Sequence, residues 1–245
     1  MDQHHEFLSA TLFNRYIANP LAEALGFHVD HDVLPAHLVM VIFVCLILTT
    51  VALLVRRRLS VENPGAVQQM LEVLVEGLLG LMKEIIGPDA RRFFPLIGTL
   101  FLYILAGNLL GLFPGFMPPT SNINITAACG ILVFLYYNYH GFRVHGFVKY
   151  MAHFAGPSLA IAPVLFVIEI ISHMARPFSL SVRLMGNIYA EELIVTNLNQ
   201  LFPFVISMPV MALGLFAGTL QAFIFSVLTI VYIAGSVEHA HDEEH

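Results

Sequence analysis

The chain has 245 residues, of which 58% are hydrophobic and only 11% charged, with a mean hydropathy of +0.78. Soluble domains carry about 25% charged residues, so the composition excludes a soluble globular protein and predicts an all-α, multi-pass membrane protein of one domain with about five to six helices. The net charge of −6, concentrated at the two ends, argues against nucleic-acid binding.

Residues 1–35 open with MDQHHEF, a polar segment with neither a cleavable signal pattern nor an Arg-rich transit pattern. The first apolar run covers 36–55 and stops at Arg56, Arg57 and Arg58. Positive residues mark cytoplasmic ends of spans, so the triplet is expected inside and the N-terminus outside. Residues 64–86 follow a different rule. Gln69, Glu72, Glu76 and Lys83 fall on one helical stripe among Leu, Val and Met, which predicts an amphipathic helix lying in the interface.

After the positive turn GPDARR, a second span covers 93–113 and ends at Pro114 and Gly115. The loop GFMPPTSNIN has no Lys or Arg and fits the outside. A third span, 125–139, is followed by HGFRVHGFVKYMAH, whose Arg143 and Lys149 return it to the cytoplasm. The last third holds two long apolar stretches, 159–198 and 204–234. The first is roughly 60 Å long as a helix, about twice the hydrocarbon thickness. The pair is therefore expected to form a long, strongly tilted hairpin, with Pro163 and Pro177 as kink points. A polar tail, 235–245, ends in the cytoplasm. Cys45 and Cys129 both sit in apolar runs and are expected as small buried hydrophobes rather than a disulfide.

The chemistry concentrates in the penultimate stretch. Of eleven Lys and Arg residues, only Arg176 and Arg183 lie inside a hydrophobic segment. A cation at the bilayer centre costs about 2.5–3.5 kcal/mol on insertion scales and normally marks an ion or substrate path. At 100° per residue, Glu169, Ser172, Arg176, Arg183, Asn187 and Glu191 share one stripe, His173 sits at its edge and Glu192 points away. Ser172 and His173 are equally compatible with groups that only satisfy their neighbours. On the last helix Gly214 and Gly218 form a small-xxx-small step that allows close helix approach. Gln221 follows within a turn, either as structural glue or as a group that holds the arginine on the facing helix.

The segments RLMGNIYAEEL and LQAFIFSVLTIVYI, with GNLLGLFPGF, the PPTSNIN loop and the Glu169 context, resemble subunit a of the rotary F-type ATP synthases, the stator half of the membrane motor. The resemblance spans most of the chain. It implies that Arg183 is the family's essential arginine, which faces the carboxylates of a ring of c subunits. It implies that Asn187, Glu192 and Gln221 lie near that arginine and the outer aqueous half-channel, that Glu169 is the acidic position of the cytoplasmic half-channel, and that Asn108 is a polar position of the second span, grouped with the proton-translocating residues. The further implied partners are peripheral-stalk b subunits and the lipid of a bacterial inner membrane, with no nucleotide or nucleic acid bound by this chain. One departure stands out. Many members have glycine where this chain has Glu191, and His or an acid where it has Gly214. The exchange leaves one titratable group in the same space and points to Glu191 as a relay of the outer half-channel.

No HExxH or phosphate-binding glycine loop is present, so no catalysis, metal or cofactor is expected of this chain alone. Asn124 and Thr126 fit a glycosylation acceptor by chance, and His4, His5, His239 and His241 fit solvated ends. Two rivals stay open at this level: a self-contained secondary transporter or channel with Arg183 as its anion-binding group, and a purely structural scaffold. The lack of an internal repeat weighs against the first.

Overall fold

Apolar side chains at helical spacing, with few β-branched runs and no alternating pattern, build helices throughout. The computed structural model describes residues 8–19, 34–113, 116–146, 162–201 and 207–237, and no strand occurs among them. Seven α-helices follow in order: α1 (Leu8–Phe13), α2 (Ala36–Arg57), α3 (Ala66–Ile86), α4 (Ala90–Gly111), α5 (Ile123–His145), α6 (Ala162–Leu201) and α7 (Ser207–Val237). The six long ones correspond to the six expected segments. The short α1, continued by a π turn over Asn14–Ala18, lies in the segment read from sequence only as polar. The expected polar tail beyond residue 237, the loop carrying Lys149 and the terminal histidines fall outside the described residues.

Among the described residues, four helical stretches are long and apolar enough to cross a membrane: Ala36–Arg57, Ala90–Gly111, Val164–Leu198 and Met211–Val237. With this many, the chain is an all-α multi-pass membrane protein. Helix α5, expected to span, is not among the four. Its run NITAACGILVFLYYNYH is diluted by two Asn, a Thr, three Tyr and a His, which lower its mean hydropathy. Helix α3 is also not among them, and Gln69, Glu72, Glu76 and Lys83 are all exposed while Leu78 and Met82 are buried. That split is the amphipathic pattern read from the sequence.

The chain divides into two compact units. The first holds residues 1–68, 102–122 and 186–222; the second holds 69–101, 123–185 and 223–245. In the first unit Val39 and Met40 of α2 form a core against Phe13, Leu34, Leu110, Phe116 and Met117. Phe43 stacks on Phe116 with centroids 5.6 Å apart, and buried Asn14 donates to the Leu34 carbonyl at 2.8 Å. Only a narrow face of α2 is covered, so Leu46, Leu53 and Leu54 are exposed, as suits a helix whose solvent is hydrocarbon. Cys45 lies on that open face and is exposed, whereas Cys129 is buried, and both are free thiols. The expectation that both would be buried fails for Cys45 because position in an apolar run does not tell which face of the helix is packed.

In the second unit Met82, Phe93, Ile97, Val133, Tyr137, Leu180 and Leu184 are buried with Phe225, Ile230 and Ile233 of α7. Gly130 of α5 permits a close approach to α6: a Cβ there would fall against the Ser181 hydroxyl and stand 2.8 Å from the Pro177 carbonyl oxygen. Pro177 sits inside α6, and Ser181 Oγ donates to the Pro177 carbonyl at 2.7 Å. Helix α6 is assigned as helical without interruption over its 40 residues, so Pro177 does not divide it.

Candidate functional site in the final helix pair

Helix α7 buries a stripe with spacing of three and four: Gly214, Gly218, Gln221, Ala222, Phe225, Thr229 and Ile233. That periodicity is the ridge that a neighbouring helix packs on. At its start, in the first unit, the stripe meets α6 and α4. Asn187 Nδ2 donates to Gln221 Oε1 at 2.7 Å, and Gln221 is only 2% exposed. Four residues further along α6, Glu191 reaches Gly214, where an added Cβ would land on its carboxylate. These two contacts set α6 and α7 antiparallel within the unit. Glu191 and Glu192 are both half-buried.

Glu191 occupies the volume that any side chain at position 214 would take, so the two positions hold one functional group between them. Gln221, weighed from sequence as a holder of the arginine, has its side-chain carbonyl engaged by Asn187 instead. A buried amide left without partners would cost about 1–3 kcal/mol, and this bond relieves its acceptor.

Asn108 of α4 completes the first unit's share. It is 6% exposed, donates from Nδ2 to the Gly218 carbonyl at 2.9 Å, and accepts at Oδ1 from Thr120 Oγ1 at 2.7 Å. Gly218 keeps that crossing close, since an added Cβ would stand a tight 3.1 Å from Asn108 Cβ.

The second unit holds the other polar residues of α6. Arg176 Nη2 lies 3.6 Å from Glu169 Oε1, and its guanidinium carbon stands 5.4 Å from the centroid of the Tyr232 ring, a favourable cation–π distance. Glu169 and Arg176 are seven positions apart, about two turns along one face of α6. His173 is buried, with its Nε2 2.9 Å from Asn138 Oδ1. Because Asn138 Nδ2 donates to the Phe134 carbonyl at 2.7 Å, its Oδ1 is the end facing the ring, and His173 donates from Nε2–H. The rings of Phe134 and Tyr137 stand edge-on to His173, with centroids 5.4 and 5.1 Å away. Ser172 is exposed.

Arg183 differs from all of these. It is exposed on α6, between buried Leu180 and Leu184, and among the described residues it has no ion-pair partner. Of the two arginines of α6, Arg176 is paired with this chain's own carboxylate, and Arg183 has no such partner among the described residues. Three partners were not singled out in the sequence: Thr120, Asn138 and Tyr232. None of the three stands out from its sequence neighbours, and only tertiary pairing reveals its role. No cluster of three or more metal-ligating side chains occurs among the described residues.

Comparison with known proteins gives the family of the chain. The sequence model of the family described as ATP synthase A chain matches residues 38–234. The chain is 44% identical over 214 residues to ATP synthase subunit a 1 of Syntrophotalea carbinolica, covering 87% of this chain and 91% of that protein. It is 41% identical over 230 residues to ATP synthase subunit a of Trichlorobacter lovleyi, covering 94% and 98%. Over 200 residues it is 44% identical to ATP synthase subunit a of Geobacter sulfurreducens, covering 82% and 86%.

Proposed function

Because the chain belongs to the ATP synthase A chain family, we propose that it is the proton-conducting stator subunit of the membrane sector of a bacterial rotary ATP synthase, with Arg183 turned toward the carboxylates of a c-subunit ring. It sits in the bacterial inner membrane with its N-terminus outside and its C-terminus in the cytoplasm, and peripheral-stalk b subunits hold it against rotation. It binds no nucleotide and catalyses no step by itself. Helices α6 and α7 form the tilted hairpin that fits against the ring, and α3 lies in the cytoplasmic interface.

The observation that carries this reading is the unpaired guanidinium. Arg183 is exposed in an apolar helix with no carboxylate of the described residues as its counter-ion. Cations inside membranes normally pair with one another's opposites or line a wet cavity, so the partner belongs to another subunit. A ring carboxylate facing lipid must be neutral, because an unpaired buried anion is very costly. Beside Arg183 its ionised form is favoured, and its proton leaves toward the cytoplasmic half-channel, where Glu169, Arg176, His173 and Ser172 stand. After rotation the next carboxylate is recharged from the outer half-channel past Glu191, Glu192, Asn187 and Gln221. The fixed cation also blocks a direct leak between the two paths. Each charge moved releases about 2.3 kcal/mol per 100 mV.

The test is ATP-driven proton pumping by the whole complex in sealed vesicles. Arg183→Ala should abolish coupled pumping while the complex remains assembled. Coupled pumping at the wild-type rate in that variant would overturn the reading, and so would proton transport by this chain reconstituted alone.

A further inference from the structure

We infer that Asn108 is a positioning residue, a two-ended clamp that fixes α7 on α4, and not a member of the proton path. The inference rests on the function proposed above and assigns a different task to a residue that the sequence groups with the conducting ones.

Both ends of the Asn108 amide are occupied inside the protein. Its donor end holds the Gly218 carbonyl at 2.9 Å, and its acceptor end takes the Thr120 hydroxyl at 2.7 Å. Asn108 is 6% exposed and Thr120 is fully buried. A relay exchanges partners with mobile water; a side chain locked at both ends between a helix backbone and a buried threonine does not. The amide also has no proton to take up or release near neutral pH.

The surroundings are shaped to hold Thr120 still. Pro119, Thr120 and Ser121 form one 3₁₀ turn, and Ser121 Oγ closes it on the Pro118 carbonyl at 2.9 Å. The two prolines seat against glycines of α4. A Cβ on Gly107 would stand 3.2 Å from Pro119 Cγ, and one on Gly111 would stand 2.6 Å from Pro118 Cβ. The two sequence blocks GNLLG and PPTS therefore interlock around Asn108. What the clamp grips is also specific. Gly218 lies one turn from both Gly214 and Gln221 on α7, the positions that meet Glu191 and Asn187. Holding the Gly218 carbonyl sets the axial register of α7 and so keeps both contacts in line.

The experiment compares Thr120→Val, Thr120→Ser, Asn108→Asp and Asn108→Ala in the whole complex, reading assembled complex in membranes and ATP-driven proton pumping across pH. Valine keeps the shape of threonine and removes the hydroxyl, so Thr120→Val should lose about fivefold to tenfold in pumping or in assembled complex, while Thr120→Ser stays within about twofold of wild type. Asn108→Asp carries a proton-exchanging group but lacks the donor for the Gly218 carbonyl, so it should resemble Asn108→Ala. Residual pumping in all variants should keep the wild-type pH midpoint. Wild-type behaviour of Thr120→Val, full pumping by Asn108→Asp, or a shifted pH midpoint in Asn108→Ala would each overturn the clamp. Arg183→Ala measured alongside separates the two proposals, since its loss of pumping depends on the motor reading and not on Asn108.

Discussion

Replacing Gly214 with alanine adds one methyl group where the Glu191 carboxylate now lies, and the same change at Gly218 puts a methyl group against Asn108 Cβ at 3.1 Å. The two perturbations are chemically identical and sit one turn apart on one helix. Their consequences should diverge. An alanine in a helix interior is favoured over glycine by about 1 kcal/mol. At position 214 the obstacle is the far end of a flexible side chain, which moves aside for about 0.5–1.5 kcal/mol of rotamer cost, so the net stability change is near zero. At position 218 the obstacle is a Cβ fixed to the backbone of α4, and overpacking of that kind costs about 1–3 kcal/mol. Gly218→Ala should therefore destabilise by up to about 2 kcal/mol once the propensity gain is subtracted.

Function should follow the opposite order. Gly214→Ala keeps the fold but displaces the carboxylate proposed to feed the outer half-channel, so pumping should fall about a hundredfold, the low end of the effect of losing one well-placed proton-transfer group. Shortening the acid in the same background, with Glu191→Asp, withdraws the carboxylate by one methylene and should restore part of the rate. The assays are thermal unfolding of the purified complex and the initial rate of fluorescence quenching by a pH-sensitive dye in vesicles. Wild-type pumping by Gly214→Ala would refute the reasoning about Glu191, as would a loss of stability there as large as at Gly218.

Three further expectations follow from the same geometry. Arg183→Lys should fail to couple even though it keeps the charge, since an ammonium is a compact, strongly hydrated point charge and not a planar fork; ATP-linked pumping in that variant measures it. Asn187→Ala and Gln221→Ala should be strongly non-additive, with a coupling energy of about 1 kcal/mol in the unfolding of the complex, because each removes the same 2.7 Å bond; strictly additive losses would contradict it. Glu169→Gln strips Arg176 of its counter-charge and should slow pumping, and adding Arg176→Gln should recover part of the loss if the damage comes from an unpaired cation. A double variant slower than Glu169→Gln would show that Arg176 has a task of its own.

Most of the fold was legible because the signals are long. A run of twenty or more apolar residues specifies a helix without help from tertiary contacts, and the amphipathic stripe of α3 needs only its own period. The polar stripe of α6 could also be projected at 100° per residue. What the projection did not contain is which flank of that stripe the protein covers. His173 proves buried and Arg183 exposed, though both lie close to the same line. The partners Thr120, Asn138 and Tyr232 were illegible for a related reason. Each is contributed by another helix or loop, at a sequence separation of 12, 35 or 56 residues from Asn108, His173 and Arg176, and no local pattern encodes that meeting. Glu191 and Gly214 are the instructive middle case, since two departures from a family pattern suggested a shared volume before any coordinates placed them in contact.

The asymmetry between the two thiols turns the native chain into its own reporter. Cys45 stands open on α2 and Cys129 is enclosed, so an uncharged thiol-reactive fluorophore, applied at alkaline pH where the thiolate forms, should label this chain at Cys45 and spare Cys129. Quenchers anchored at graded depths in the bilayer would then read how deep the midpoint of the first span sits, and whether that depth changes while the motor turns.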